Sequence, residues 1–147
     1  MKLEDVKVLC ISYRILPDLF TTGIPSVCCL KEEDVQNVIA INRQYRIILI
    51  CSAECVQQLQ QSISLPDVRE VFIFGYYPQA KVGDRYVKVV NAKERSLRMI
   101  IIQTVRNYIR EEEVELRKSG QAQKANQIAE NLLQLTDLIE SLYLQPF

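Results

Sequence analysis

Residues 45–51 read YRIILIC, and this stretch decides the fold. Its apolar run has no alternating polar positions, which is typical of a strand that is covered on both faces. Such strands lie in the middle of parallel sheets, between two layers of helices. The stretch therefore predicts an α/β protein built around a central parallel strand.

Four more strands are predicted before and after this central one. They are residues 6–12 (VKVLCIS), 26–30 (SVCCL), 70–74 (EVFIF) and 86–90 (YVKVV). Helices are predicted between strands at residues 31–42 and 53–63. The connection 75–85 is irregular, since it contains Pro78 and Gly83. This alternation predicts a five-stranded, mainly parallel sheet of the flavodoxin-like kind.

The last third of the chain is predicted to form two long helices, residues 93–118 and 121–144. Gly120 between them is a common helix stop. The charged cluster 110–115 on the first helix reads as a solvated face with neighbouring ion pairs. The second helix carries a heptad seam with apolar side chains three or four positions apart: Ala125, Ile128, Leu132, Leu135, Ile139 and Leu142.

A domain of this kind needs only one helix after its last strand, so the second helix is additional. It either folds back on its own chain as a helical hairpin or pairs with another copy. We divide the chain into an α/β core, residues 1–93, and C-terminal helices, residues 94–147. The first of these helices is expected to pack on the core, and the second to extend from it or pair.

Composition excludes several classes of protein. The chain has 147 residues, with 18 basic and 18 acidic side chains, so the basic surplus of a nucleic-acid-binding protein is missing. Histidine is absent, which rules out Ser-His-Asp and Cys-His catalysis and the common zinc sites that contain histidine. No glycine-rich phosphate loop is present. We therefore expect no enzyme activity, no cofactor and no metal.

The five cysteines indicate a reducing compartment. Their number is odd, and most lie within or at the end of apolar runs, where a free thiol behaves as a small hydrophobic side chain. Cys51 is expected to be buried and inert, and Cys55 half-exposed. The chain shows no signal peptide, and its apolar runs are too short to span a bilayer. These features predict a cytoplasmic protein without a membrane segment.

Polar residues that follow the predicted strands are candidates for a ligand site. In open parallel sheets, ligands bind beyond the carboxyl ends of the strands. The residues expected there are Ser12, Arg14, Ser52, Glu54 and Lys93, of which Arg14 and Lys93 would attract an anion. The alternative is that they are ordinary polar loop residues.

Tyr76 and Tyr77, followed by Pro78, form an aromatic cluster directly after the fourth strand. Exposed aromatic side chains suit contact with a protein partner. They can equally cover the edge of the sheet. The two tyrosines and the seam residues Ile128, Leu132, Leu135, Ile139 and Leu142 are the predicted interaction surfaces.

The order of elements resembles the receiver domains of response regulators, which have a five-stranded parallel sheet. Receivers of that family have acidic residues at the ends of strands one and three. Here strand one ends in Ser12 and Tyr13 and strand three in Cys51 and Ser52, so these acids are missing. Lys93 alone lies near the position of a family residue. The resemblance implies a receiver-like fold without phosphotransfer and without its magnesium ion.

Residues 46–74 also resemble receiver-like modules of large rotifer-type proteins that carry ADP-ribosyltransferase or repeat domains. The similar features are RIILICS, a helix and then LPDVREVFIF. This resemblance implies a non-catalytic signalling or targeting module within a longer polypeptide. It supplies no catalytic residues.

The CSAEC stretch, residues 51–55, is similar to part of TIR domains, some of which cleave NAD with a glutamate on the helix after the third strand. Glu54 lies near the start of such a helix. This resemblance implies nucleotide binding or NAD processing as an alternative function.

The sequence thus predicts a non-catalytic protein-interaction or oligomerisation module of intracellular signalling. Its expected partner is another protein or a second copy of the chain, and a homo-oligomer is predicted. The alternative is a nucleotide-binding or NAD-processing domain of TIR type that uses the residues at the strand ends.

Overall fold

The computed structural model describes residues 1–14, 22–90 and 94–144, with only the backbone of residues 94–96. The main helices and strands in chain order are α1 (Leu3–Val6), β1 (Val8–Tyr13), β2 (Ser26–Cys29), α2 (Glu32–Ile41), β3 (Arg46–Ser52), α3 (Gln60–Ile63), β4 (Val68–Phe74), β5 (Lys81–Val82), β6 (Arg85–Tyr86), β7 (Lys88–Val90), α4 (Glu94–Lys118) and α5 (Ala122–Leu144). A 3-10 turn, Ala53–Cys55, follows β3.

Five strands form one sheet in the order β2-β1-β3-β4-β7, and every pair in it is parallel. The predicted flavodoxin-like α/β fold is confirmed. The stretch 45–51 supplies β3 at the centre of the sheet, where Ile47, Ile48, Leu49 and Ile50 are fully buried. A separate antiparallel hairpin, β5–β6, lies in the connection between β4 and β7.

Helices cover both faces of the sheet, as the continuous apolar runs predict. On one face α4 and α5 pack over alternate strand residues such as Cys10, Ile48 and Phe72. On the other face α2 and α3 pack over the intervening residues, among them Ile11 and Leu49. The period of two along each strand therefore divides the core into two layers.

The helix predicted at residues 53–63 is wrong as a continuous element. The structure has the 3-10 turn and the four-residue α3 instead, with turns between them. Ser52 makes no side-chain cap hydrogen bond, and its hydroxyl lies 3.3 Å from Cys55 Sγ. The apolar positions are nevertheless used as expected, since Val56, Leu59 and Ile63 are all buried.

The second long helix folds back on its own chain. The chain turns at Gly120, where φ is 79°, and the Gln121 amide donates to the Leu116 carbonyl oxygen. The seam residues then join the same apolar cluster as α4 and the sheet, with Leu132 partly buried and the others buried: Ala125, Ile128, Leu135, Ile139 and Leu142. Of the two arrangements that the sequence left open, the helical hairpin is the one observed.

None of the helices described is both long and apolar enough to cross a membrane.

Candidate functional site

The carboxyl edge of the sheet brings two of the predicted ligand-site residues to neighbouring strand ends. Tyr13 of β1 is paired with Cys51 of β3, so Arg14 and Ser52, the next residues, lie side by side at this edge. Ser12 precedes them but is only 3% exposed, within the strand. The predicted ligand site, which we call the mouth, therefore has Arg14 and Ser52 at its rim and Ser12 within the sheet.

Local contacts hold these rim residues. Arg14 has a left-handed backbone, with φ of 55°, and its Nε donates to the Leu30 carbonyl oxygen at 3.0 Å. Its guanidinium lies 5.2 Å from the centre of the Tyr13 ring. Glu54 is exposed on the 3-10 turn, and Lys93 lies outside the described residues. A ligand at this mouth stays a prediction.

The two cysteines beside the mouth have the predicted burial. Cys51 is completely buried and Cys55 is partly exposed. Burial, with a smaller contribution from Cys55, raises the pKa of the Cys51 thiol from 9.0 to about 12. A thiol with a raised pKa is protonated at neutral pH, so Cys51 is not a nucleophile there.

Within the part of the chain that the structure describes, no group of three potential metal ligands is assembled from histidine, cysteine, aspartate and glutamate.

The aromatic residues after β4 have two different environments. Tyr77 is partly buried against the layer of α2 and α3, whereas Tyr76 is 81% exposed. The structure adds Tyr86, 72% exposed on β6, which the sequence did not single out. Tyr76 and Tyr86 thus present aromatic surface on the same connection between β4 and β7. We call this segment, residues 76–86, the aromatic hairpin.

The aromatic hairpin is anchored to the body of the domain. Val82 is 3% exposed and belongs to the apolar layer of α2 and α3. The Arg85 guanidinium donates to the carbonyl oxygens of Leu65 and Val68. Lys81 Nζ lies 4.5 Å from the centre of the Tyr86 ring, on the paired strand. These contacts fix the position of Tyr86 before any partner arrives.

The amino edge of the sheet carries a network of charges. Lys7 Nζ pairs with Glu112 Oε1 at 2.9 Å, and Arg46 Nη2 with Glu111 Oε2 at 3.5 Å. Arg46 Nη1 also donates to the Tyr108 carbonyl oxygen at 2.7 Å. The cluster 110–115 is therefore more than a solvated face, because Glu111 pairs with Arg46 of β3 and Glu112 with Lys7, directly before β1.

Tyr108 extends the network onto the sheet. Its hydroxyl donates to Glu70 Oε1 at 2.9 Å, and Lys88 Nζ lies 3.4 Å from Glu70 Oε2. Burial above all, and next the hydrogen bond to Glu70, raise the pKa of Tyr108 well above its ordinary value of 10.0. The phenol accordingly stays a neutral donor at physiological pH.

A cavity of about 420 Å³ opens at this edge beside the network, and we call it the amino-edge cleft. The strands β1, β3 and β4 all begin near it. Its charged lining residues are Lys7, Arg43, Arg46, Asp67, Arg69 and Glu112, and its other lining residues are Gln44, Tyr45 and Pro66.

Sequence reasoning missed the amino-edge cleft, although a signal for it exists. Lys7, Arg46 and Arg69 each stand at or next to the start of a predicted apolar strand. Since the amino ends of parallel strands meet at one edge of a sheet, these three cations had to converge. The site predicted from the sequence lies at the opposite edge, where ligands of such folds ordinarily bind.

Comparison of the chain with protein-family models, curated proteins and solved structures finds no match. The resemblances to receiver domains, to rotifer-type modules and to TIR domains therefore stay predictions, and function has to be argued from the site itself.

Proposed function

We propose that this chain is a non-catalytic protein-interaction module of the cytoplasm, acting in intracellular signalling, and that the aromatic hairpin is its contact surface. The observation that carries the proposal is the exposure of Tyr76 and Tyr86 on a connection that is anchored at Val82 and Arg85. Tyrosine is enriched at protein interfaces, where its ring supplies a large contact area and its hydroxyl a hydrogen bond.

Anchoring favours binding through the entropy of association. Ordering a mobile loop on binding costs free energy, and a surface that is already fixed avoids this cost. Lys81 stacks on Tyr86, and the Val87 amide donates to the Ala80 carbonyl oxygen at 2.9 Å, so the hairpin is ordered in advance.

A second copy of the chain is one candidate partner. The seam of α5 is buried against its own chain, so self-association would use the aromatic hairpin instead of the heptad pattern. A cytoplasmic location is supported by Cys10 and Cys51, which are buried free thiols.

Sedimentation velocity over a wide range of protein concentration tests the proposal for self-association. The double variant Tyr76→Ser, Tyr86→Ser should sediment as a monomer where the wild-type chain forms a larger species. Tyr143→Ser is the matched control, because Tyr143 is 69% exposed and belongs to α5, not to the hairpin. A wild-type chain that stays monomeric at every concentration would exclude the second copy as the partner.

For a different protein partner, the same three proteins can be used as baits in quantitative cross-linking. Partners of the aromatic hairpin should be enriched with the wild type and the Tyr143→Ser control, and lost with the double variant. Equal capture by all three baits, together with a monomeric wild type, would remove the hairpin from the proposal.

A further inference from the structure

The amino-edge cleft has more positive than negative side chains. Four cations line it, Lys7, Arg43, Arg46 and Arg69, against two carboxylates, Asp67 and Glu112. The lining residues therefore carry a formal surplus of two positive charges, in a protein whose net charge is zero.

The ion pairs do not use all of this charge. Glu112 is held by Lys7 at 2.9 Å, and Asp67 lies 3.8 Å from Arg43, a loose contact. Arg46 pairs with Glu111 outside the cleft lining. Among the described residues, no carboxylate forms an ion pair with Arg69, which is exposed. Arg69 and, in large part, Arg43 are thus able to bind an anion.

Geometry brings the cations within reach of one small ligand. The backbone amide of Arg46 donates to the Lys7 carbonyl oxygen at 2.9 Å, so the starts of β1 and β3 are joined. Arg69 lies near the start of β4, the next strand, and neighbouring strands are about 4.8 Å apart. Arg43 joins them in the lining of the cleft, where it lies 3.8 Å from Asp67. Several guanidinium groups can bind the oxygens of one phosphate, since each offers a planar pair of donors.

We propose that the amino-edge cleft binds a phosphomonoester dianion, with Arg43 and Arg69 as its principal ligands and Arg46 and Lys7 as flanking charges. Arg69, which forms no ion pair among the described residues, and Arg43, whose contact with Asp67 is loose, supply the positive charge for it. No residue of the aromatic hairpin lines this cleft, although Arg85 of the hairpin donates to the carbonyl oxygens of Leu65 and Val68 on either side of the lining residues Pro66 and Asp67.

Isothermal titration calorimetry at low salt and pH 8 tests the site with three probes. They are inorganic phosphate, a short phosphoserine peptide and the same peptide without phosphate. Both phosphorylated probes should bind, and the unphosphorylated peptide should not. Tighter binding of the peptide than of inorganic phosphate would indicate a phosphorylated protein as the source, and equal binding would indicate the phosphate group alone.

Variants locate the binding. Arg69→Gln and Arg43→Gln should each weaken binding of phosphate about tenfold, as expected for the loss of a charge-assisted hydrogen bond. Both side chains are exposed, so the variants should keep the circular dichroism spectrum of the wild type. Arg117→Gln is the matched control, because Arg117 pairs with Glu113 outside the cleft. Equal weakening by all three variants would overturn the proposal.

The charge of the ligand gives a second readout. A phosphomonoester takes up a proton near pH 6, so binding of the phosphoserine peptide should weaken severalfold between pH 8 and pH 5. The chain has no histidine to produce this loss, and the other charged groups at the cleft are Lys7, Arg43, Arg46, Asp67, Arg69 and Glu112. Protonation of Asp67 or Glu112 would strengthen binding instead. Affinity that stays constant or rises toward pH 5, or no binding of either phosphorylated probe, would also overturn the proposal.

Discussion

The two edges of the sheet are held by different kinds of contact. At the amino edge, Lys7 meets Glu112 across 105 positions of the sequence, and Arg46 meets Tyr108 across 62. At the carboxyl edge the contacts span shorter stretches of sequence. Ser52 contacts Cys55 three positions further on, Arg14 donates to the Leu30 carbonyl oxygen across 16, and the Tyr13 hydroxyl donates to Gln58 Oε1 across 45. The difference arises because Tyr108 and Glu112, in the second half of α4, lie beside the starts of β3 and β1. Contacts with α4 therefore tie the amino edge to the last third of the chain, whereas these carboxyl-edge contacts join residues of the first 58 positions.

The largest effect on the free energy of unfolding is expected at alkaline pH, where residues near the two edges should lose their contributions at different pH values. Burial raises the pKa of the Cys51 thiol, near the carboxyl edge, and of Cys10 from 9.0 to about 12. Since the unfolded chain loses these protons at lower pH, the contribution to the free energy of unfolding is complete below pH 9 and is lost as pH rises to 12. Each thiol should contribute up to about 1.4 kcal/mol per pH unit.

Urea unfolding between pH 8 and pH 11 measures this slope. Cys51→Ala should flatten it from about pH 9 upward. Tyr108→Phe, at the amino edge, should flatten it only above about pH 10, because the raised pKa of Tyr108 starts from 10.0. Identical profiles for the wild type and Cys51→Ala would contradict the assignment of a protonated buried thiol.

Arg46→Met tests whether the amino edge contributes more to stability. The change removes the hydrogen bond to the Tyr108 carbonyl oxygen and the ion pair with Glu111, while a long apolar side chain remains. We expect the free energy of unfolding to fall by about 2 kcal/mol. The matched change at the other edge, Arg14→Met, removes an exposed contact and should cost less than about 1 kcal/mol. Similar losses would show that the two edges do not differ in this respect.

Gly75→Ala tests the backbone of the carboxyl edge. Gly75 has φ of 110°, a conformation that side chains rarely adopt, and its amide donates to the Val90 carbonyl oxygen. An added β-carbon would lie 3.7 Å from Ala53 Cβ, an ordinary contact, so the cost is conformational. We expect a loss of about 1–2 kcal/mol in chemical denaturation. Gly83→Ala, with φ of 60° and open space around it, should lose less.

The smallest effect is expected at the ion pair of Lys7 and Glu112. Lys7 is 48% exposed, so Glu112→Gln should cost below about 1 kcal/mol at low salt. Added salt at about 1 M should abolish the difference between the wild type and the variant. Glu115→Gln, at a pair of 4.0 Å with both partners exposed, should have no measurable effect at either salt concentration.

Much of the fold could be predicted from local patterns. The two long helices were expected at residues 93–118 and 121–144, and they are Glu94–Lys118 and Ala122–Leu144. The apolar seam from Ala125 to Leu142 keeps the helical spacing of three and four over 18 positions, which is a clear local signal. The signal for a helix at 53–63 was weaker, since its apolar positions suit any segment that packs on a sheet. Only the buried residues of this segment were predicted correctly, and not its continuous helix.

The candidate site was less predictable. The pairing of Tyr13 with Cys51 brings Arg14 and Ser52 to one edge, as parallel strands require. Arg14 makes its hydrogen bond to Leu30 from a left-handed backbone conformation. An arginine rarely adopts this conformation, so the sequence does not predict it. Tyr86 was treated as part of a strand and lies exposed on the hairpin, because the register of β5 and β6 was not foreseen.

The sequence by itself determined the α/β fold with helices on both faces of the sheet and the positions of its long helices, because periods of two and of three to four residues are local properties of the chain. Tertiary structure alone decided that the seam of α5 packs on its own domain. It also decided that Glu111 and Glu112 cross to Arg46 and Lys7, and that a cationic cleft opens at the amino edge. These features depend on which distant residues meet, and the periodicity of a segment does not encode its partner.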